Sequence, residues 1–302
     1  MYKEIAIIAP TASGKTQLSI TLAHKLNAVI LSLDSLSIYK DIDIVSAKPG
    51  KEERNGIVHF GINKVFPNEK FDVIEFIAEY NNAKEYAMEN DKNLIIVGGT
   101  GFYLKSMIDG LSITPIITED NKKIIKNELV DLNKIYKKLT SIDKKYMSNI
   151  ASNDKYRIEK ALGIYIQTSL SPTEYFDNNK PTPVIKNRKN LKIFEIETDV
   201  ELLRERIKTR TNKMINNGLI DEIIALEEKY TRAPNCMNSI GIIETLDYID
   251  GKIDKNKLSE LITIHTSQLA KRQRTFNKGQ FMNVIKDSLE NIEKKILSTF
   301  EI

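Results

Sequence analysis

Near its N-terminus the chain runs an apolar stretch, a glycine-bearing loop and a helix-patterned segment into one another: "EIAIIA", "APTASGKT" and "KTQLSITLAHKL". The first is strand-sized, and the last carries Leu18, Leu22 and Leu26 at helical spacing. The stretch Ala9–Thr16 follows the pattern G-x-x-x-x-G-K-[ST], except that alanine holds the first position. A strand that feeds such a loop into a helix commits this region to an α/β layer. It also places an anion site at the helix start, where unpaired N–H groups and the helix dipole favour negative charge. Within the loop, Gly14 permits left-handed backbone, Lys15 neutralises phosphate oxygens and the Thr16 hydroxyl can ligate Mg²⁺. Ala9 is tolerated if its φ is negative.

Two further strands follow the same logic. "AVILSLD" reads as a strand ending at Asp34 and "NLIIVGGTG" as another ending in glycines, with the helical stretch "VIEFIAEYNNAKEYAME" between them. Alternating strands and helices imply a parallel sheet, whose ligands sit at the carboxyl ends of the strands. The loop, Asp34 and Thr100 all fall on that edge. Asp34 could accept a proton from a nucleophile, or cap the next helix. The strand "LIIV" ends without an acid for Mg²⁺, and the glycines around Thr100 let backbone approach a ligand closely.

From about residue 119 to 190 the pattern turns helical, with Ile125, Leu129, Leu132, Tyr136 and Leu139 on a stripe, and no strand recurs before "NLKIFEI". The reading is a core formed by residues 1–113 and 191–302 with a helical insertion over 114–190. Two helices, "LLRERIKTRTNKMI" and "LIDEIIALEEKY", precede "KLSELITIHTSQLAKRQRTF", where Leu258, Leu261, Ile262 and Leu269 form an apolar face that leads into strong positive charge.

At 302 residues the chain can bury a sizeable core, and its net charge of +4 is too mild to demand a nucleic-acid partner by itself. No apolar run is long enough to span a bilayer and no signal-peptide pattern precedes the first strand, so a cytoplasmic protein without membrane attachment is expected. The single cysteine, Cys236, rules out an internal disulfide, and His24, His59 and His265 lack the spacing of a zinc site.

Taken in order, "APTASGKT", "LDSLSIYKDIDIVSAKP", "GGTGFYLKSMIDGL", "NDKYRIEKAL", "NSIGIIE" and "SQLAKRQRTF" resemble the tRNA dimethylallyltransferase (tRNA isopentenyltransferase) family over nearly the whole chain. The resemblance implies an α/β fold with a P-loop NTPase-like parallel sheet core flanked by helices and a mostly helical insertion domain that contacts the tRNA anticodon stem-loop. It implies transfer of a dimethylallyl group from dimethylallyl diphosphate to N6 of the adenosine 3′ of the anticodon, in tRNAs reading codons that begin with U, by a monomer using Mg²⁺.

Under that resemblance Asp34, Thr100, Lys15 and Thr16 are the catalytic set, with Thr16 on the Mg²⁺. Ala9, Pro10, Thr11, Ala12, Ser13, Gly14, Lys15 and Thr16 hold diphosphate. From their spacing alone, Arg206 and Arg210 share a helical face and read either as a clamp that closes over the diphosphate or as simple surface charge. The tRNA contacts are Asp34, Ser35, Leu36, Ser37 and Thr100, then Lys122 and the stretch Tyr156, Arg157, Ile158, Glu159 and Lys160. Lys271, Arg272, Gln273, Arg274 and Lys278, crowded around Phe276, complete them, since basic residues interleaved with an aromatic suit an RNA loop.

The chain departs from the family pattern at Ala9, at Val45 and Ser46 in "VSAKP", at Ser37, and at Ile242 and Ile243, which remove an aromatic and a basic residue from a stretch expected to face tRNA. Rival readings are a small-molecule or nucleoside kinase, a prenyltransferase acting on free adenine nucleotides, and a non-catalytic RNA-binding protein.

Overall fold

Strand β1 (Glu4–Ile8) is buried from Ile5 onward, as an unbroken apolar run must be when both faces of a parallel strand are covered. The structure, a computed structural model, describes residues 2–186, 188 and 190–300. After β1 come α1 (Lys15–Lys25), β2 (Ala28–Leu33), the two-residue β3 (His59–Phe60), α2 (Val73–Glu89), β4 (Asn93–Gly98) and α3 (Gly101–Asp109). Helix α2 starts where the sequence signals it: Asp72 accepts from Ile74 N–H, and Glu75 reaches back to Asp72 N–H at 2.9 Å.

The chain divides into two compact units, one made of the stretches up to Ile108 and from Ile185, the other Asp109–Val184. The first unit adds β5 (Lys192–Ile196), α9 (Val200–Asn216), α10 (Leu219–Tyr230), α11 (Ile242–Ile249), the long α12 (Lys255–Gln280), β6 (Ile285–Asp287) and α13 (Leu289–Ser298). Its six-stranded sheet has the order β3-β2-β4-β1-β5-β6, with every pairing parallel. The chain leaves β1, crosses by α1 and returns at β2, so β4 slots between them; such a reversal of strand order opens a crevice at the carboxyl edge. On one side of the sheet the core joins Ile7, Leu22, Ile30, Ile95 and Phe194 to Ile292 and Ile296 of α13. A second cluster joins Ile38, Ile42 and Val45 to Leu219 and Ile223 of α10 and Leu258 and Ile262 of α12.

The other unit carries α4 (Glu119–Glu128), α5 (Leu132–Ile142), α6 (Lys144–Met147), α7 (Lys155–Thr168) and α8 (Pro172–Asn178). Each begins at a side-chain cap: Thr118, Asp131, Asp143, Asp154 and Ser171. These caps divide the apolar stripe of 119–139 between two helices, whose Ile125, Ile135 and Leu139 pack with Ile158, Ala161 and Leu162 of α7.

Candidate active site

Beyond β1 the backbone stays in register with the sheet for one more residue, Ala9 N–H donating to the Gly98 carbonyl at 3.2 Å. Ala9 is fully buried and is absent from the positive-φ positions, so alanine fits where the motif has glycine. The left-handed residues of the loop are Ala12 (φ 63°) and Gly14 (φ 89°), the kind of backbone from which anion-binding concavities of successive N–H groups are built. Gly14 caps α1 without a side-chain hydrogen bond, and the first turn of the helix has no acidic residue, which leaves its N–H groups available to an anion. The Ser13 hydroxyl is fully buried and has no hydrogen-bond partner in the protein. Lys15 donates to the Pro10 carbonyl at 3.2 Å. Burial, and secondly the charge of Arg210, push its pKa down to about 8, while Asp34 works in the opposite direction.

At the end of β2, Asp34 Oδ1 accepts from the N–H groups of Leu36 at 2.8 Å and Ser37 at 3.0 Å, which fixes the turn through Ser35. Asp34 is therefore both the acid at the strand end and the residue that orders the segment after it. At the end of β4, Thr100 N–H donates to the Leu33 carbonyl at 3.0 Å, joining the two strand ends. The glycines here make room for α12. A Cβ on Gly99 would collide with the Gln273 carboxamide, and one on Gly101 would meet Asn277 and Phe276. Gln273 Oε1 in turn accepts from Thr11 N–H at 3.0 Å, so its carboxamide ties α12 to the phosphate loop.

From α9, Arg210 reaches the same place. It donates to Thr11 Oγ1 and to the Ser46 carbonyl, each at 3.3 Å, and burial holds its pKa below the usual guanidinium value. Thr11, Lys15, Asp34, Thr100, Arg210 and Gln273 line a cavity of about 310 Å³, a volume suited to a small ester. A smaller hollow of about 60 Å³, sharing Lys15, Asp34 and Arg210, adds Thr16 and Ser37. Arg206, one turn earlier on α9, is solvent-exposed and lines neither space. The turn before Arg210's acceptor explains "VSAKP": Ser46 Oγ donates to the Ile42 carbonyl at 2.6 Å, and buried Val45 occupies the space a side chain on Gly241 would need. Glu222 and Lys48 escaped the sequence reading, although Glu222 accepts from the N–H groups of Asp43, Ile44 and Val45 and Lys48 pairs with Asp43 at 2.7 Å. Lys48 falls within the stretch "VSAKP" without a role of its own there, and Glu222 carries no local pattern that marks it.

The basic residues divide by element. Lys271, Arg272 and Lys278 of α12 are exposed and Arg274 is half-buried, while Phe276 sits edge-on to Phe281. In the helical unit a groove of about 640 Å³ has an apolar floor at Ile125 and Ile164 and is rimmed by Lys122, Lys126, Lys155 and Lys160. Tyr156 is exposed, with the Lys160 ammonium 5.6 Å from its ring centre, and Arg157 pairs with its own cap, Asp154, at 3.4 Å. Two expectations are corrected here. Ile158, grouped with the RNA contacts, is wholly buried in the core of its unit, and in the stretch expected to face tRNA Ile242, the first residue of α11, is wholly buried while its neighbour Ile243 is exposed.

Residues 37–280 match the family model described as IPP transferase. The chain belongs to the IPP transferase family. Relatives within this family include a tRNA dimethylallyltransferase of Aliarcobacter butzleri (strain RM4018), 57% identical over 99% of this chain and 100% of its own length. Another, of Sulfurovum sp. (strain NBC37-1), is 55% identical over 98% and 97%. Among solved structures, the full-length tRNA isopentenylpyrophosphate transferase of Bacillus halodurans aligns with TM-score 0.72 at 28% identity, covering 100% of this chain and 97% of that one. A eukaryotic dimethylallyltransferase described as acting on tRNA aligns with TM-score 0.80 at 28% identity, over 95% and 74%. The parallel sheet with its phosphate loop is thus the IPP transferase core. Among the described residues no helix is long and apolar enough to cross a membrane.

Proposed function

We propose that this chain is a tRNA dimethylallyltransferase that moves the dimethylallyl group of dimethylallyl diphosphate to N6 of the adenosine 3′-adjacent to the anticodon, in tRNAs reading codons that begin with U. The observation that carries this reading is the meeting of the phosphate loop, Arg210, Asp34 and Thr100 in one cavity of an IPP transferase.

The adenosine nitrogen attacks the allylic carbon, a new C–N bond forms, and the carbon–oxygen bond to diphosphate breaks. Negative charge then grows on the leaving diphosphate. Lys15, Arg210 and the N–H groups at the start of α1 stabilise it, an electrostatic contribution that strengthens as the bond breaks. Asp34 takes the N6 proton while Oδ1 keeps its hold on the turn, and Thr100 hydrogen-bonds the adenine edge. A stacked base cannot reach this cavity, so the adenosine is flipped out of the anticodon loop. The helical unit and the α12 cations Lys271, Arg272, Arg274 and Lys278 hold the stem-loop by its phosphates.

The donors present suit Mg²⁺. The Thr16 hydroxyl and Asp34 carboxylate line one hollow, and among the described residues no cluster of three His, Cys, Asp or Glu side chains forms a cage. On the protein side the Thr16 hydroxyl would hold the ion. When bound, Mg²⁺ neutralises charge on the departing diphosphate.

The test is to locate the product. After reaction with labelled dimethylallyl diphosphate, nuclease digestion should place all label on the adenosine 3′ of the anticodon, and a transcript with guanosine there should stay unlabelled. Label elsewhere, or labelling regardless of the first codon base, contradicts the assignment.

A further inference from the structure

We propose that Glu222 is a positioning residue for the diphosphate, acting on Arg210 through the turn 43–46; this rests on the reading of Arg210 as a diphosphate contact. Both carboxylate oxygens of Glu222, in the first turn of α10, are committed to that turn. Oε2 accepts from Asp43 N–H at 2.9 Å and Ile44 N–H at 2.6 Å, and Oε1 accepts from Val45 N–H at 3.0 Å. Three successive backbone N–H groups on one carboxylate fix the turn's direction through charge-assisted bonds. The next residue, Ser46, presents its carbonyl to Arg210 Nη2 at 3.3 Å, and the other terminal nitrogen meets Thr11 Oγ1 of the phosphate loop.

Both of these acceptors are neutral oxygens, so they orient the guanidinium without cancelling its charge, which stays available to an incoming anion. Glu222 itself lines neither the 310 Å³ cavity nor the smaller hollow beside it, so its effect passes through the turn. Packing of α10 against this region does not depend on the carboxylate. Ile42 and Val45 are buried with Leu219 and Ile223 in one apolar cluster, which holds the helix in place while Glu222 sets where the Ser46 carbonyl points.

Glu222→Gln separates the two roles. Glutamine keeps one acceptor oxygen but turns an amide donor toward a backbone N–H, so the turn must shift while the apolar cluster stays intact. The full-length protein is assayed as wild type, Glu222→Gln, Arg210→Ala and the double variant, for KM toward dimethylallyl diphosphate, kcat at saturating tRNA, inorganic pyrophosphate Kd and Tm. Glu222→Gln is expected to raise KM and the pyrophosphate Kd about tenfold and to lower kcat several-fold as well, because Arg210 also meets the charge that grows as the bond breaks, and the double variant should be no weaker than Arg210→Ala alone. Penalties that simply multiply in the double variant, or a lowered Tm with KM unchanged, overturn the proposal. If Arg210→Ala leaves KM and pyrophosphate Kd unchanged, the diphosphate role of Arg210 fails and takes the proposal with it, a pattern distinct from independent penalties.

Discussion

The backbone N–H of Thr11 donates to Oε1 of Gln273 at 3.0 Å, a bond between residues 262 positions apart that fastens the phosphate loop to α12. The same carboxamide abuts Gly99, so it holds the ends of two strands as well as a helix. Gln273→Glu keeps an acceptor for Thr11 but places a negative charge in the cavity. KM for dimethylallyl diphosphate should rise about tenfold or more, reflecting repulsion of the diphosphate, with Tm close to wild type. Steady-state kinetics beside a thermal melt checks this.

Asp34 has two tasks that one substitution separates. Asparagine can still accept from Leu36 and Ser37 N–H groups through Oδ1, so Asp34→Asn should keep the turn and bind tRNA within a few fold. It cannot take a proton, and kcat should fall about 10²–10⁴-fold. Asp34→Ala loses both tasks and should also lower Tm. Single-turnover rates and filter binding of tRNA decide between these outcomes.

With its pKa pushed down to about 8, Lys15 loses its charge within reach of ordinary assay conditions. Diphosphate binding wants the ammonium, so kcat/KM for dimethylallyl diphosphate should fall as pH rises through about 8. Burial is the larger cause and the neighbouring Arg210 charge the second, so Arg210→Ala should move that alkaline limb upward. The stability sign is opposite. Between about 8 and the ordinary value of 10.5 the unfolded chain holds a proton at Lys15 that the folded protein has released, so this residue's contribution to stability rises with pH across that window. A pH profile of kcat/KM for the two proteins, each with a matching melt, tests both signs.

Ala9→Gly restores the loop motif without restoring anything the backbone needs, because Ala9 is buried and its φ is not positive. Diphosphate affinity should change less than about threefold, while stability falls by about 1 kcal/mol through the lost methyl packing and the freer unfolded chain. The strained alanine is Ala12, at φ 63°, where glycine removes the Cβ penalty. Isothermal titration with pyrophosphate and denaturant melts of Ala9→Gly and Ala12→Gly give the comparison.

The cavity-lining edge is legible in the sequence because Lys15, Asp34 and Thr100 each come after a short apolar run that ends in turn residues, the signature of a buried strand. Strands β3 and β6 are two and three residues long and leave no period to read. Arg206 and Arg210 share a helical face in the sequence, and only their surroundings separate the exposed one from the one bonded to Thr11 and Ser46. The burial of Ile158 does have a signal, since Ile158, Ala161, Leu162 and Tyr165 recur at helical spacing on α7 and pack together. Gln273 stands in the basic stretch of α12 and is expected there to touch tRNA, but nothing in that stretch signals its bond to Thr11, and nothing beside Glu222 signals its hold on residues 43–45, because both partners lie far away in the chain.

The central claim is that the loop of Lys15 and Thr16 delivers a prenyl diphosphate, not ATP, to a base in tRNA. The decisive measurement incubates the protein with Mg²⁺ and labelled dimethylallyl diphosphate, offering unmodified tRNA or AMP as acceptor, with ATP labelled in its γ-phosphate in a parallel reaction. Label entering tRNA alone, lost in Asp34→Asn and accompanied by release of diphosphate, is the result expected. Transfer to AMP, or phosphoryl transfer from ATP with no prenylation of tRNA, would contradict it.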